Sequence, residues 1–131
     1  FGATTGRERR CGWIDLPALK YAIMINGVTE LSMMKGDVLD SFESIKVCTH
    51  YIHNGDKIDY FPYNIDDSVE PVYIEKKGWN VDTTKITSEA EFPKELMDYI
   101  TYLEAELETP ISIVSVGPDR SQTIQRDKVM A

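Results

Sequence analysis

The sequence is short of the features that mark secreted, zinc-binding and membrane proteins. Two cysteines and two histidines in 131 residues are too few and too scattered for a disulfide framework or a metal site, which favours a reducing, cytoplasmic setting. No apolar run approaches the roughly 18–20 residues that cross a bilayer, and no signal peptide opens the chain. We therefore expect no membrane partner and no metal ligands in this chain.

Basic charge is also scarce. The 14 Lys and Arg residues are outnumbered by 22 Asp and Glu residues, so the formal net charge is -8. Because nucleic acids bind basic surfaces, we expect no nucleic-acid partner. The length and the hydrophobic content of 42% fit one globular domain with a real core.

Against this acidic background, one N-terminal segment is cationic, and we call it the arginine loop (residues 4–10). It reads Thr-Thr-Gly-Arg-Glu-Arg-Arg, and Cys-Gly-Trp follows. Each planar guanidinium can hold both oxygens of a carboxylate or phosphate, while hydroxyl and backbone N–H groups add neutral donors. The segment predicts an anion-binding loop, with a solvated surface patch as the alternative. Because this segment lies at the extreme N-terminus, with Phe1 rather than a methionine in front of it, we expect the chain to be part of a longer protein.

Periodicity predicts an α/β architecture, with α+β as an alternative. One helix is expected from the Asp15 cap to Asn26-Gly27, and a second from Phe92 to Leu107, ended by Pro110. The strands are predicted at residues 28–34, 45–52, 58–61, 71–75 and 111–116. The tail from Gln125 to Ala131 is expected to be frayed.

Two of these strands run into polar turns, where open α/β sheets bind ligands. We call them the Lys35 turn (residues 35–37) and the Ser115 turn (residues 115–117). In the Lys35 turn, Asp37 could accept two hydrogen bonds from the N1 and N2 edge of guanine, a pattern that adenine lacks. The aliphatic stem of Lys35 could lie along the face of the base. A Lys-x-Asp triplet alone is common by chance.

Other candidates have simpler interpretations. Cys11, beside Arg10, is interpreted as a buried structural thiol rather than a reactive one. Trp13 and Trp79 are interpreted as packing residues. No catalytic role is expected for His50, His53, Glu104, Glu106 and Glu108. The two histidines are expected in a strand that runs into a turn, and the three glutamates on the solvent-facing side and end of a helix.

Taken in order, several motifs resemble the C-terminal part of the adenylosuccinate synthetase family, over roughly residues 2–124. They are Thr4–Trp13, Asn26–Glu30, Lys35–Asp40, Lys46–Cys48, Gly78-Trp79 and Ser115–Arg120. The resemblance implies the C-terminal part of a P-loop-NTPase-like fold, with helices packed on a mixed sheet. It also implies GTP- and Mg²⁺-dependent joining of IMP and L-aspartate into adenylosuccinate, by a homodimer with active sites completed across the interface.

The resemblance also implies roles for particular residues. Residues matching the family's aspartate and IMP loop are Ala3, Thr4, Thr5, Gly6, Arg7, Glu8 and Arg9, with Arg7 also reaching the IMP ribose and Arg9 associated with GTP. Residues matching the GTP-binding turns are Lys35, Gly36, Asp37, Ser115, Val116 and Gly117. Glu8 replaces a common proline, and its side chain is expected to point away from the site. Met34 and Gly36 replace a threonine and a bulkier residue.

The family's glycine-rich phosphate loop, aspartate base and general-acid histidine have no counterpart in the sequence. We therefore expect no catalytic residue and no Mg²⁺ ligand in this chain, which would be inactive without the rest of its polypeptide. Two other hypotheses stay open. The chain could be a non-catalytic module that binds a guanine nucleotide or an amino acid, or an acidic interaction domain whose motifs are relics.

Overall fold

The structure, a computed structural model, describes residues 1–2 and 4–127 of the chain. The α-helices and strands of this part are β1 (Ile14–Asp15), α1 (Leu16–Asn26), β2 (Leu31–Met33), β3 (Ser44–His53), β4 (Asp56–Ile58), β5 (Val69–Lys77), α2 (Lys94–Leu107), β6 (Ile111–Ser115) and β7 (Thr123–Gln125). Short 3₁₀ turns occur at Gly36–Leu39, Glu89–Glu91 and Arg120–Gln122.

The strands form two mixed sheets. In the larger sheet β3 pairs with β1 in parallel and with β4 and β5 in antiparallel orientation. In the smaller sheet β6 lies between β2, which is parallel to it, and β7, which is antiparallel. Helices on mixed sheets confirm the predicted α/β class.

Helix α1 begins and ends where the sequence predicts. The Asp15 side chain accepts a hydrogen bond from the Ala18 N–H at 3.1 Å, and Pro17 occupies the first turn. Gly27 ends the helix in a left-handed conformation with φ 60°. The Val28 N–H then donates to the Ile23 carbonyl at 3.1 Å, so Val28 still belongs to the end of the helix. The strand predicted from residue 28 therefore begins only at Leu31.

Helix α2 joins the two sheets through one core. Its buried face carries Leu96, Tyr99, Ile100, Leu103 and Leu107, which lie in the same core cluster as residues from both sheets. The helix ends at Leu107, as predicted, and is capped by Glu108, which has a φ of 51° and lies two residues before Pro110. None of the helices in the described ranges is long and apolar enough to cross a bilayer.

Two strand boundaries differ from the prediction for local reasons. Asn54 and Gly55 both have positive φ and form a two-residue hairpin loop, so β4 starts at Asp56 rather than Ile58. At the C-terminus Gln125 pairs with Ile113, and the Arg126 N–H bonds to Ser112 at 2.8 Å. Regular structure thus continues past the expected boundary at residue 124, and residues 128–131 lie outside the described part.

Candidate functional site

Parallel pairing of β2 with β6 brings the Lys35 turn and the Ser115 turn to one sheet edge. Met33 lies opposite Val114, and each strand ends within two residues of that pair. Gly36 is buried at this contact, where an added Cβ would lie 3.4 Å from the Ser115 carbonyl oxygen. The two turns predicted separately from the sequence are therefore direct neighbours.

The Lys35 turn has an unusual backbone for its sequence. Lys35 adopts a left-handed conformation with φ 59°, which costs a non-glycine residue about 1–2 kcal/mol. The 3₁₀ turn at Gly36–Leu39 follows at once, with the Val38 N–H donating to the Lys35 carbonyl at 3.2 Å. Asp37 therefore lies in the first turn of this 3₁₀ segment, next to Gly36, which contacts Ser115.

Asp37 carries an unsatisfied acceptor. Its Oδ1 atom is buried and has no hydrogen-bond partner among the residues that the structure describes. A buried carboxylate oxygen without a donor costs about 1–3 kcal/mol or more, and native proteins bury few such atoms. The atom is therefore available to a donor from outside the described residues.

Gln122 holds the Ser115 turn. Its main-chain carbonyl accepts a hydrogen bond from the Val116 N–H at 2.9 Å, and its side-chain Oε1 accepts from the Asp119 N–H at 2.9 Å. A Cβ at Gly117 would collide with this side chain. Gly117 therefore leaves room for the Gln122 side chain, whereas the sequence suggested only close approach of a ligand.

Asp40 is a further polar residue of this region, and no role is predicted for it from the sequence. Its carboxylate accepts from Trp79 Nε1 at 2.7 Å, from the Thr83 N–H at 2.7 Å and from Thr83 Oγ1 at 2.8 Å. The indole of Trp79 is buried, which confirms it as a packing residue. Asp40 thus anchors the end of the 3₁₀ turn to the segment at 79–83.

The arginine loop is exposed and closed on itself by main-chain bonds. The Gly2 N–H donates to the Arg7 carbonyl and the Gly6 N–H to the Gly2 carbonyl, both at 2.8 Å. Thr5 Oγ1 accepts from the Arg7 N–H at 3.4 Å. The guanidinium of Arg9 lies over Gly2, since a Cβ there would be 3.3 Å from Nε. Ala3 lies outside the described residues.

A cleft of about 440 Å³ is lined by residues of this loop, namely Thr5, Arg7, Glu8, Arg9 and Arg10. In the described part of the chain, none of its three arginines has an ion pair with a carboxylate. Glu8, whose side chain was predicted to point away, also lines the cleft. Three guanidinium groups without carboxylate partners suit a small polyanion.

A second cleft, of about 520 Å³, connects the end of the arginine loop with the Lys35 turn. Its lining is mostly apolar and comprises Cys11, Gly12, Trp13, Lys35, Val38, Leu39, Phe42 and Tyr73. Trp13 contacts Phe42 edge to face, with ring centroids 5.3 Å apart. Cys11 is exposed here, so its interpretation as a buried thiol is wrong. The core begins only at Trp13, two residues further along.

Asp15 fixes the chain where the arginine loop enters the fold. Besides capping α1, its carboxylate accepts a short hydrogen bond from the Tyr51 hydroxyl, 2.6 Å from Oδ1. Burial, followed by this bond to Asp15, raises the pKa of Tyr51 well above its usual value. Burial also raises the pKa of the nearby Cys48 thiol, which favours the neutral form. The Tyr51 hydroxyl of β3 thus holds Asp15 at the point where the chain passes from the arginine loop into α1.

Two other predicted features have a definite outcome. Glu104 was interpreted as solvent-facing, which is wrong: its carboxylate accepts from the Ile111 N–H at 2.8 Å and pairs with Arg126 at 3.1 Å. His50 and His53 lie in β3 as predicted. Within residues 1–2 and 4–127, no group of three or more His, Cys, Asp or Glu side chains could hold a metal ion.

Comparison with known proteins agrees with this arrangement. The sequence model of the adenylosuccinate synthetase family matches residues 1–124. The chain is 68% identical over 126 residues to the adenylosuccinate synthetase of Phocaeicola vulgatus and 63% identical to that of Bacteroides fragilis, in each case over 96% of this chain and 30% of the relative. A solved structure of fully ligated adenylosuccinate synthetase from Plasmodium falciparum superposes with a TM-score of 0.88 and 34% identity, over 97% of this chain and 31% of that one.

The chain therefore spans about 30% of the length of these curated relatives. The family match covers nearly the whole of it, including the arginine loop and both turns. The chain belongs to the adenylosuccinate synthetase family.

Proposed function

We propose that this chain is the C-terminal part of a GTP-dependent ligase that joins IMP and L-aspartate to form adenylosuccinate. In this proposal the Lys35 and Ser115 turns bind the guanine base, and the arginine loop binds aspartate. The chemistry itself needs a phosphate loop and a base that the sequence lacks, so the chain is inactive without the rest of its polypeptide.

The observation that carries the guanine assignment is the buried, unpartnered Oδ1 of Asp37. Guanine presents two adjacent donors, N1–H and N2–H, and a carboxylate can accept both. Binding the base would satisfy an oxygen that is otherwise left without a partner, whereas adenine offers no such pair of donors. The neighbouring Ser115 backbone closes the same edge of the sheet, and the Lys35 stem suits the face of the base.

The charge of the arginine loop supports the aspartate assignment. L-Aspartate carries two carboxylates, and the cleft of the loop offers the guanidinium groups of Arg7, Arg9 and Arg10 without competing carboxylate partners. Thr5 adds a neutral donor. Following the family, Arg7 would also reach the IMP ribose and Arg9 the GTP, with Ala3, Thr4, Gly6 and Glu8 completing the loop.

Membership of the family supports the remaining parts of the proposal. GTP acts as co-substrate, and Mg²⁺ supports phosphoryl transfer when bound by residues outside the described part of this chain. The rest of the same polypeptide is the immediate partner. The complete enzyme is proposed to be a cytoplasmic homodimer with active sites completed across the interface.

The test of the guanine assignment is Asp37→Asn in the complete enzyme. Asparagine presents an NH₂ group where guanine also donates, so we expect the KM for GTP to rise. The expected loss of binding free energy for GTP is about 2–4 kcal/mol. The KM for IMP should change little. Asp59→Asn, at an exposed position without these contacts, is the matched control. An unchanged KM for GTP together with a raised KM for aspartate would contradict the assignment.

A further inference from the structure

We propose that the dipeptide Thr83-Thr84 is a clasp that holds the Lys35 turn and the Ser115 turn in register, with Thr83 a positioning residue for base selection. This inference rests on the proposed function, because it concerns the nucleotide site named there. Neither threonine belongs to either turn. Both lie in the irregular segment between β5 and α2, to which the sequence assigned no role.

One half of the clasp connects Thr83 to the Lys35 turn. The Thr83 N–H donates to Asp40 Oδ2 at 2.7 Å, and the Thr83 hydroxyl donates to the same carboxylate, 2.8 Å from Oδ1. Asp40 in turn donates its own N–H to the Asp37 carbonyl at 3.1 Å. A continuous path of hydrogen bonds therefore runs from Thr83 to the residue with the unpartnered carboxylate oxygen.

The other half connects Thr84 to the Ser115 turn. Gln122 Nε2 donates to the Thr84 carbonyl at 2.8 Å, while the main-chain carbonyl of Gln122 accepts from the Val116 N–H at 2.9 Å. The same Gln122 side chain fills the space beside Gly117. Its position is thus fixed from Thr84 on one side and by the Ser115 turn on the other.

Burial makes the clasp stiff. Thr83 has none of its surface exposed to solvent, so water cannot replace the bonds to Asp40. The Ile86 N–H further fixes the Thr83 carbonyl at 3.0 Å. The two turns also pack directly, because Gly36 lies beside the Ser115 carbonyl and the Val114 and Val116 side chains. The clasp adds a second attachment between them, through the hydrogen bonds of Asp40 and Gln122.

Two points of attachment fix the direction of the Asp37 carboxylate relative to the Ser115 backbone. Reading both N1–H and N2–H of a base requires that direction to be constant, since hydrogen bonds weaken steeply with misalignment. A turn held only at Gly36 would still bind a purine but would distinguish less well between bases that differ by one amino group. The clasp therefore acts on selectivity through Asp37 without touching the nucleotide.

The experiment compares GTP with inosine triphosphate, which lacks the 2-amino group, as co-substrates of the complete enzyme. Thr83→Val keeps the side-chain volume but removes the hydroxyl bond to Asp40. We expect the ratio of kcat/KM for GTP to that for inosine triphosphate to fall roughly three- to tenfold, with the KM values for IMP and aspartate unchanged. Thr83→Ser, which keeps the hydroxyl, should restore the ratio.

A second variant and a stability control complete the design. Gln122→Leu breaks the other half of the clasp and should lower the same ratio, so the test stands even if the Thr83→Val enzyme does not fold. Ile45→Val, a buried change in β3, should lower the melting temperature without altering the ratio.

The outcomes separate the clasp from the site on which it acts. A reduced ratio in Asp37→Asn with an unchanged ratio in Thr83→Val and Gln122→Leu would overturn the clasp and leave the guanine assignment intact. An unchanged ratio in Asp37→Asn would instead remove the guanine assignment itself. If the ratio fell equally in Ile45→Val, a general loss of stability would explain it, and the clasp would be overturned.

Discussion

At the scale of single residues, Asp37 and Asp40 are two nearby carboxylates whose hydrogen bonding differs. Asp40 accepts bonds from an indole, a hydroxyl and a backbone N–H, whereas Oδ1 of Asp37 accepts none from the described part of the chain. A carboxylate that the fold has already satisfied gains little from a ligand. The unsatisfied one gains the most, which is why the binding role is proposed for Asp37.

The arginine loop gives a prediction at the same scale. In the complete enzyme, Arg9→Leu removes a cation that is proposed to neutralise a carboxylate of the substrate aspartate. The KM for aspartate should therefore rise at least about tenfold, equivalent to ~1.4 kcal/mol, while IMP binding changes little. Arg7→Leu should damage the parameters of both substrates, because its fork is shared between them. Steady-state kinetics with each substrate varied in turn measures both.

Lys57→Leu, at an exposed cation of β4, is the control for loss of a positive charge. If both arginine variants kept near-normal kinetics, the arginine loop would be the solvated surface patch that the sequence also allowed.

At the scale of elements, the C-terminal strand is fastened by a single arginine. The Arg126 side chain is only 8% exposed and pairs with Glu89 at 2.9 Å and Glu104 at 3.1 Å. Its Nη1 also donates to the Ile111 carbonyl at 2.7 Å. One side chain thus ties the end of β7 to the start of β6, to α2 and to the turn before α2.

Arg126→Met should therefore destabilise the protein strongly. It leaves two partly buried carboxylates without a cation, and breaking such a network costs about 3–5 kcal/mol in the free energy of unfolding. Chemical denaturation of the complete enzyme, followed by tryptophan fluorescence, measures the change. Lys94→Met removes the exposed ion pair of Lys94 with Asp98 and should leave the midpoint unchanged. Equal midpoints for the two variants would contradict this account of β7.

The glycines of the Lys35 turn and the Ser115 turn make a matched pair. An alanine at position 117 would collide with Gln122, whose side chain is held from two sides, so Gly117→Ala should raise the KM for GTP several-fold. An alanine at position 36 would meet Ser115 at an ordinary contact distance, 3.4 Å. Gly36→Ala should accordingly be close to wild type. A more harmful effect of Gly36→Ala than of Gly117→Ala would contradict the packing described for these turns.

At the scale of the whole molecule, the chain is proposed to bind substrates without carrying the reaction centre. It spans about 30% of its relatives and lacks a phosphate loop in its sequence. The purified chain, free of host enzyme, should therefore form no adenylosuccinate from IMP, aspartate and GTP. Ultraviolet absorbance of the product is the measurement, and the complete enzyme is the positive control. Turnover by the chain alone would show that it holds a complete active site.

Much of this architecture could be predicted because it is local. The ends of α1 follow from Asp15, Pro17 and Gly27, and the buried face of α2 follows from its three- and four-residue spacing. Long-range contacts could not be predicted in this way. Nothing near Glu104 in the sequence indicates Arg126 as its partner, and nothing near Asp40 indicates Thr83. The motifs identified the residues proposed to bind substrate, but not those that hold them.

The parallel pairing of β2 with β6 also has a consequence for the order of folding. The two strands are separated in sequence by β3, β4, β5 and α2, so closing this pair carries a large loop entropy. During synthesis β2 emerges long before its partner and remains an unpaired strand edge until β6 leaves the ribosome. The sheet edge with the Lys35 and Ser115 turns is therefore among the last of the described parts to form, and nascent chains that stop before Ile111 expose a strand edge prone to aggregation.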